Sequence, residues 1–292
     1  MSQEASQRPR ISAVVCCKNE AARIEACLIA LKTATPDEVI VVDGASSDET
    51  VNIAKLYTDK IIVSDAGDLT SDRQIGIDAA EHDFIAMIDA DHRVKPGDLE
   101  RLYEDLEHFG FDIVQAGVCI EPTSFWACAE NDAFSVFQQQ PGPRKNMIGA
   151  SPALYRRKVF DKVRYDREET GLNDDAGFYY RLSQHKDVAF GVGYTKIDQA
   201  HFGEADSYAK KFAWYGRMDA SFCVDHPERA HSMFFHLTVR YMLWRPAKAL
   251  FSGKLRAIPY FWFCGGVRFW TLLKTLPKLL KDKRMAGSVV HG

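Results

Sequence analysis

The chain has 292 residues, 46% of them hydrophobic, and is therefore long enough to bury one large core or two smaller ones. Its seven cysteines are an odd number without CxxC or Cys/His ligand spacing, which argues against a disulfide framework and a zinc site. The net charge of -3 conceals a division, because residues 230–292 carry 11 Lys/Arg and one acid, whereas acids predominate in residues 1–229.

Strand and helix patterns alternate along the N-terminal part of the chain. The alternation predicts strands at RISAVVCC, DEVIVVDG, DKIIVSD, DFIAMID and FDIVQAGV, and helices at NEAARIEACLIALKTA, SSDETVNIAKLY, SDRQIGIDAAEHD and GDLERLYEDLEHF. Asn19 and Ser46 are placed to cap the first two helices. Strands that alternate with helices of roughly 10–15 residues are typical of βαβ units, so the sequence predicts an α/β fold with a mostly parallel sheet flanked by helices.

Three of the predicted strands end in aspartate, at Asp43, Asp65 and Asp89. Ligands of open parallel sheets bind beyond the carboxyl ends of the strands, so these acids mark a candidate binding edge. The following turns, CCKNEAAR and GASSDET, contain neither GxGxxG nor a P-loop, which argues against a Rossmann dehydrogenase and a P-loop NTPase. Phosphates bound at this edge would therefore need a metal ion, and carboxylates are what hold Mg²⁺ or Mn²⁺.

Asp89 and Asp91 raise a separate question, because they stand one residue apart at the end of an apolar run. Side chains two positions apart on an extended chain point the same way, so these carboxylates are expected to be neighbours. Like charges at that distance repel, and the pair needs either a cation between its members or a shared proton.

Three segments resemble the nucleotide-binding half of family-2 glycosyltransferases of the GT-A fold: ISAVVCCKNEAARIEACLIAL, EVIVVDGASSDET and DRQIGIDAAEHDFIAMIDADHRVKPGDLERL. The resemblance runs from about residue 10 to about residue 217. It implies a flexible N-terminus over residues 1–9 and a Rossmann-like GT-A catalytic domain over residues 10–225. Residues 10–118 would form the nucleotide-sugar-binding half of that domain and residues 119–225 the acceptor-binding half.

The resemblance implies roles for residues of the donor site. Asp43 is similar to the family residue that binds the base or the ribose, and Arg73 to the one that reaches the ribose or the diphosphate. Cys16, Lys18 and Glu20 would line the same nucleotide pocket.

The resemblance also assigns a divalent metal site, for Mn²⁺ or Mg²⁺. Asp89 and Asp91 form a DXD-type motif, in which Asp91 would bind the metal directly and Asp89 would touch the ribose or a metal-bound water. His201 would be the third metal ligand. His92, beside the motif, is expected to be an exposed neighbour without a role.

The segment GLNDDAGFYYRLSQ offers a catalytic base. Asp174 and Asp175 begin a predicted helix, and Arg181 follows six residues after Asp175, a spacing that resembles the family's Glu-Asp motif. The resemblance implies that Asp175 takes the proton of the acceptor hydroxyl and that Asp174 positions the acceptor or the base. The alternative is that both are first-turn acids that interact with the helix dipole.

The basic end, residues 226–292, does not continue the strand–helix alternation. Its apolar run AIPYFWFCGGV has 11 residues, too few to span a bilayer, and Pro246, Pro259 and Pro277 are expected to break the segment into short helices. Its aromatic and basic composition predicts helices that lie in an anionic membrane surface. Nucleic acid binding is the weaker explanation of the charge, and a helical hairpin packed on the catalytic domain or in a dimer is a third.

Together these features predict an inverting, metal-dependent glycosyltransferase. It would move a sugar from a nucleotide donor, UDP-linked, to a hydroxyl of a saccharide or a lipid-linked acceptor, as in polysaccharide or lipopolysaccharide biosynthesis. The polar N-terminus lacks the apolar run of a signal peptide, so we expect a cytoplasmic protein at the inner face of the cell membrane. The alternatives are a metal-dependent nucleotidyltransferase and a non-catalytic sugar- or lipid-binding scaffold of the same fold.

Overall fold

The computed structural model describes residues 8–145, 147–165, 174–200 and 204–289, with residues 174–176 and 284–289 described by their backbone alone. Within these residues the chain forms two compact units. The first unit contains residues 8–119, 139–165 and 174–200, and the second contains residues 120–138 and 204–289.

The first unit is built on one sheet, whose described strands are β1 (Ile11–Cys17), β2 (Glu38–Asp43), β3 (Ile61–Val63), β4 (Phe84–Asp89), β5 (His92–Arg93), β6 (Ile113–Ile120), β7 (Gly142–Pro143), β8 (Ala153–Arg156) and β9 (Phe190–Gln199). Their order is β3-β2-β1-β4-β8-β6-β9-β5, with β7 paired to β9. Strands β3, β2, β1 and β4 run parallel, whereas β8 is antiparallel to β4 and β6. The predicted α/β sheet is confirmed, and its parallel part brings the carboxyl ends of β1, β2 and β4 to one edge.

The described helices are α1 (Ile24–Ala34), α2 (Thr50–Ala54), α3 (Leu69–Ala79), α4 (Asp98–Phe109), α5 (Phe125–Phe137), α6 (Asp174–Leu182), α7 (Ala205–Asp225), α8 (Ala230–Phe235), α9 (Arg245–Phe251) and α10 (Ala257–Val289). A π-helical segment, His236–Trp244, joins α8 to α9. Helices α1 to α4 and α6 belong to the first unit, and the others belong to the second.

Alternation along the buried strands divides the core of the first unit between the two faces of the sheet. Val15 and Val41 pack in a cluster that includes residues of α1 and α4. Val14 and Val42 pack in a second cluster with residues of α3 and α6. Because a strand buried on both faces is apolar at every position, its sequence reads as a continuous hydrophobic run.

The two predicted helix caps are wrong, because the side chains tie neighbouring loops together instead. The backbone N–H of Asn19 donates to Ser46 Oγ over 2.8 Å, and the N–H of Ser47 donates to Asn19 Oδ1 over 2.8 Å. Helices α1 and α2 begin further along the chain, without a side-chain cap. These hydrogen bonds hold together the loops that follow β1 and β2, at the edge where the acids lie.

The second unit is organised around the crossing of α7 and α10. Gly216 of α7 lies so close to α10 that a Cβ added there would stand 2.3 Å from the carbonyl oxygen of Arg268. One turn away, the buried Asp219 accepts two hydrogen bonds from Arg268, over 2.5 and 2.7 Å. Removing either partner would leave a buried charge without its counterion.

The predicted breaks of the basic end at Pro259 and Pro277 are wrong, since both prolines lie within the continuous helix α10. Pro259 occupies the first turn of α10, where backbone N–H groups have no intrahelical acceptor, so its missing N–H costs no hydrogen bond. Pro277 stands in the interior of the helix, where its missing N–H leaves one intrahelical hydrogen bond unmade. No helix in the described part of the chain is both long enough and apolar enough to cross a membrane.

Candidate active site

Two of the predicted site residues end the parallel strands that flank β1 on either side. Asp43 is the last residue of β2 and pairs with Cys17, and Asp89 is the last residue of β4 and pairs with Cys16. The sheet therefore brings both acids to the carboxyl edge of β1, as expected for a binding site of this architecture. Asp65 lies two residues beyond the end of β3 and is exposed.

Asp89, Asp91 and His92 form a compact cluster at this edge. Their potential ligand atoms lie within 4.8 Å of one another. Gln199 Nε2 donates to Asp91 Oδ2 over 2.7 Å. The other carboxylate oxygen of Asp91, Oδ1, is buried and has no hydrogen-bond partner among the described residues.

The expectation that His92 is an exposed neighbour is wrong, because its side chain is only 2% exposed. The short strand β5 pairs with β9 and thereby fixes the backbone at this histidine. The backbone N–H of Asp89 donates to His92 Nδ1 over 3.0 Å, so the ring proton lies on Nε2, 3.8 Å from Asp91 Oδ1. His92 thus presents an N–H to the cluster, and the two carboxylates are the stronger ligand candidates.

This cluster fits a hard divalent cation. A buried carboxylate oxygen without a donor is costly, and a cation placed beside it would remove that cost. Carboxylate oxygens are the ligands that Mg²⁺ and Mn²⁺ prefer. The structure is therefore consistent with the expectation that a cation lies between Asp89 and Asp91.

Arg73 reaches the same cluster from α3. Asp68 caps this helix by accepting from the N–H of Ser71 over 2.9 Å. Arg73 is buried, with a guanidinium nitrogen 3.9 Å from Asp89 Oδ1 and with its Cζ 5.9 Å from the ring centroid of Tyr165. A delocalised cation is thus held beside the carboxylates, where it can donate to an anionic ligand.

The predicted nucleotide pocket is built around Asp43. This carboxylate is fully buried and accepts from the backbone N–H and the hydroxyl of Ser46, over 2.8 and 2.5 Å. Cys16 is buried and Lys18 is exposed. Partial burial raises the pKa of Glu20, as do the negative charges of Asp91 and Asp89, while Arg23 opposes them.

Two residues of this edge carry no signal in the sequence that would predict them. Gln199 is separated from Asp91 by 108 positions, and nothing in the sequence links them. Asp72 is buried, with one oxygen 2.8 Å from the point where a Cβ on Gly44 would stand, and burial raises its pKa. An acid in the first turn of a helix is usually exposed and interacts with the helix dipole, so the sequence position of Asp72 does not indicate that it is buried.

The side chains of three predicted site residues lie outside the described part of the structure. Asp174 and Asp175 begin α6, but their side chains lie outside the described residues. His201 also lies outside them, although Ala200, which precedes it, donates its N–H to the carbonyl oxygen of Asp91 over 2.8 Å. Their predicted roles therefore stay predictions.

Known proteins that are similar in sequence to this chain are described as glycosyltransferases. The family described as Glycosyl transferase family 2 matches residues 12–164. An uncharacterized glycosyltransferase of Rickettsia felis is 35% identical over 285 residues, which cover 94% of this chain and 93% of that protein. The putative glycosyltransferase EpsH of Bacillus subtilis is 29% identical over 216 residues, covering 67% of this chain but only 61% of that protein. The match to an uncharacterized glycosyltransferase of Rickettsia bellii spans 32% of its length.

Solved structures share the fold. S. aureus TarS 1-349 in complex with UDP-GlcNAc has a TM-score of 0.52 at 15% identity, over 95% of this chain and 92% of that chain. Glucosyl-3-phosphoglycerate synthase from Mycobacterium tuberculosis in complex with Mg²⁺ and UDP has a TM-score of 0.51 at 16% identity, over 74% and 79%. The predicted GT-A fold is thereby confirmed.

Proposed function

The chain belongs to glycosyl transferase family 2, and from this premise we propose that it moves a sugar from a UDP-linked donor to a hydroxyl group with inversion. The observation that carries the proposal is the buried Asp91 Oδ1 beside Asp89, at the carboxyl edge of the parallel strands, which has no hydrogen-bond partner in the described part of the chain. Two proteins of similar fold are described in complex with UDP or a UDP-sugar, which favours the same class of donor here.

Asp91 and Asp89 would hold a divalent metal ion, Mg²⁺ or Mn²⁺. When bound, the ion supplies a Lewis acid that stabilises negative charge on the departing diphosphate. Gln199 holds one Asp91 oxygen in place by a hydrogen bond, and the other oxygen would be available to the cation. We propose His201 as a further ligand, since its chain neighbour Ala200 is hydrogen-bonded to the backbone of Asp91.

The remaining donor contacts are proposed for the residues around Asp43. Asp43 would accept a hydrogen bond from the base or the ribose, and its bonds to Ser46 hold the adjoining loop in place. Arg73 would donate to the ribose or the diphosphate from its fixed place beside Asp89. Cys16, Lys18 and Glu20 complete the proposed lining.

Transfer to a hydroxyl requires a base, and we assign this role to Asp175, with Asp174 positioning the acceptor or the base. Phe178 and Tyr179 of α6 are buried in the core of the first unit, so the helix that carries the two acids is firmly anchored. Asp175 would accept the hydroxyl proton as the oxygen attacks the sugar. A single displacement of this kind inverts the configuration, and it needs no nucleophile from the chain.

The acceptor is proposed to be a saccharide, carried on a lipid at the cytoplasmic face of the membrane. This assignment rests on the excess of ten positive charges in residues 230–292 and on their many exposed aromatic side chains. Attraction to anionic lipid would hold the enzyme near such an acceptor.

A screen of nucleotide sugars tests the proposal. Thermal stabilisation and UDP release are measured for each donor, with Mn²⁺, with Mg²⁺ and with chelator. We expect a UDP-sugar to raise the melting temperature only when the metal is present, because Asp89 and Asp91 would hold the cation that offsets the charge of the diphosphate. Equal stabilisation in chelator, or stabilisation only by other nucleotides, would contradict the metal-dependent UDP-sugar site.

A further inference from the structure

Helix α10 has two apolar faces, although a helix on the surface of a protein normally has one. One face is buried against the rest of the second unit and includes Tyr260, Phe261, Cys264 and Leu272. The other carries exposed apolar side chains at Trp262, Trp270, Leu273 and Leu280. The two tryptophans are 54% and 59% exposed, so the folded chain leaves most of their surface in water.

These four exposed residues lie on one side of the helix. At about 100° per residue, positions 262, 270, 273 and 280 fall within roughly 80° of each other. Gly266 and Pro277 fall in the same sector, so no charged side chain interrupts the row. We call Trp262, Trp270, Leu273 and Leu280 the outer stripe. It extends for about 27 Å along the helix.

The turn before α10 continues the apolar surface of the second unit. Leu255 is exposed there, and the exposed Leu250 and Phe251, the latter 89% exposed, end helix α9 just before it. The turn is held at its base by Asp132, which binds Lys254 over 3.3 Å and Arg256 over 3.0 Å. A nearly free aromatic side chain on an anchored turn is available to enter an apolar phase.

The charges of α10 limit what can cover this stripe. Lys274, Lys278 and Lys281 lie on one flank, and Lys274 Nζ is 4.8 Å from the ring centroid of Trp270. Asp282 is the only acid in residues 230–292. A second copy packed on the stripe would bring these cations close to their own equivalents, which is unfavourable. An anionic surface would pair with them instead.

We propose that the outer stripe and the turn at Phe251 form a membrane-docking face on which α10 lies parallel to an anionic bilayer. Tryptophan side chains favour the boundary between lipid headgroups and hydrocarbon, and lysines flanking them reach the phosphates. The apolar row and the positive flank together make such binding reversible and dependent on salt. The inference deepens the proposed function, from which it takes the anionic lipid as partner of residues 230–292; it locates that contact on named side chains and requires no sugar transfer.

Vesicle co-sedimentation of the full chain tests the docking face. Wild type and the double variant Trp262→Gln/Trp270→Gln are compared on phosphatidylcholine vesicles with roughly a quarter of phosphatidylglycerol, and on phosphatidylcholine alone. The double variant is expected to bind the anionic vesicles at least about tenfold more weakly, because it loses two interfacial aromatics. Trp214→Gln changes a tryptophan of α7 that is 49% exposed; it is the control and should bind as wild type does.

Two further variants separate the contributions. Phe251→Ser should weaken binding without touching α10, and Lys274→Gln/Lys281→Gln should weaken it on anionic vesicles at low salt only. Circular dichroism and the melting temperature verify that each variant is folded. Metal-dependent UDP binding, measured by calorimetry, should be unchanged in all of them.

Some results would overturn the inference. If the Trp262→Gln/Trp270→Gln protein sediments like wild type, the stripe does not contact lipid. If wild type is a dimer by light scattering and this variant is a monomer, the stripe is covered by a second copy. Failure of UDP binding in wild type would remove the proposed function and leave the vesicle result standing.

Discussion

Gln199 donates to Oδ2 of Asp91 over 2.7 Å, while Oδ1 of the same carboxylate is buried without a hydrogen-bond partner among the described residues. One oxygen is thus fixed and the other is left with an unused lone pair. A side chain arranged in this way is oriented before its ligand arrives. This arrangement gives a physical reason for an acid two residues beyond the end of β4, and it motivates the first two predictions.

Asp91→Asn is expected to abolish the metal-dependent part of UDP affinity and leave the fold intact. The amide keeps the shape and the bond to Gln199 but loses the charge that binds a cation. Calorimetric titration of UDP with and without Mn²⁺ measures the effect. Asp65→Asn, an exposed acid near the same sheet edge, is the control and should titrate as wild type. Unchanged metal-dependent affinity in Asp91→Asn would remove the central assignment.

Gln199→Leu should weaken metal affinity by about 10- to 100-fold, the usual effect of removing a residue that orients a metal ligand. The carboxylate of Asp91 remains but is no longer held by its neighbour. Titration of Mn²⁺ followed by electron paramagnetic resonance gives the dissociation constant directly. Gln184→Leu, an exposed glutamine in the same unit, serves as the matched substitution. An unaltered constant in Gln199→Leu would make the bond merely structural.

Asp175→Asn separates the chemical step from donor binding. Its amide can still hydrogen-bond the acceptor hydroxyl but cannot take the proton, so transfer should fall by a factor of roughly 10² to 10⁴. UDP affinity should stay within a few-fold of wild type. A UDP-release assay and a calorimetric titration provide the two measurements. Near-normal transfer would show that another residue is the base, and Asp174→Asn is the next variant to compare.

Gly216→Ala should destabilise the second unit, since its Cβ would stand 2.3 Å from a backbone oxygen that cannot rotate away. Forcing α7 and α10 apart is expected to cost about 1–3 kcal/mol of unfolding free energy. Gly266→Ala is the control, because nothing lies within 4 Å of the added Cβ and alanine favours a helix. Thermal denaturation should show a lower midpoint for Gly216→Ala alone, and equal midpoints would contradict the tight crossing.

Stability should decline in mild acid because of His236. Burial, together with the charges of Arg245, Arg268 and Arg240, lowers the pKa of this histidine from 6.5 to about 4. Between pH 4 and pH 6.5 the histidine binds a proton in the unfolded chain but not in the folded chain. Its contribution to the free energy of unfolding is therefore complete above pH 6.5 and is lost as the pH falls towards 4. The slope contributed is at most about 1.4 kcal/mol per pH unit.

Urea denaturation at several pH values between these limits measures that slope for the wild type and for His236→Gln. The variant should lose the part of the pH dependence that the histidine contributes. Identical slopes in both proteins would show that the imidazole titrates normally in the folded state.

Much of the first unit was open to prediction from the sequence. Strands β1, β2 and β4 are apolar runs ending at Cys17, Asp43 and Asp89, and runs of this kind report burial on both faces. Asp89 and Asp91 lie close together as predicted, although a turn at Ala90 and Asp91, and not a continuing extended strand, brings them there. The prediction that Asn19 and Ser46 cap helices was wrong, because a polar side chain near a helix start can hydrogen-bond to a neighbouring loop as readily as to the first turn of the helix.

The sequence by itself determined the family, the alternation of strands and helices, and the pair of acids whose mutual repulsion predicts a bound cation. Each of these depends on residues near one another in the chain. Only the tertiary structure decided that His92 is buried and that Gln199 holds Asp91. It also decided which face of α10 packs and which remains exposed, since both faces are apolar and periodicity cannot tell core from surface. Such choices depend on which distant segments meet, and contacts of that kind leave no pattern in a single sequence.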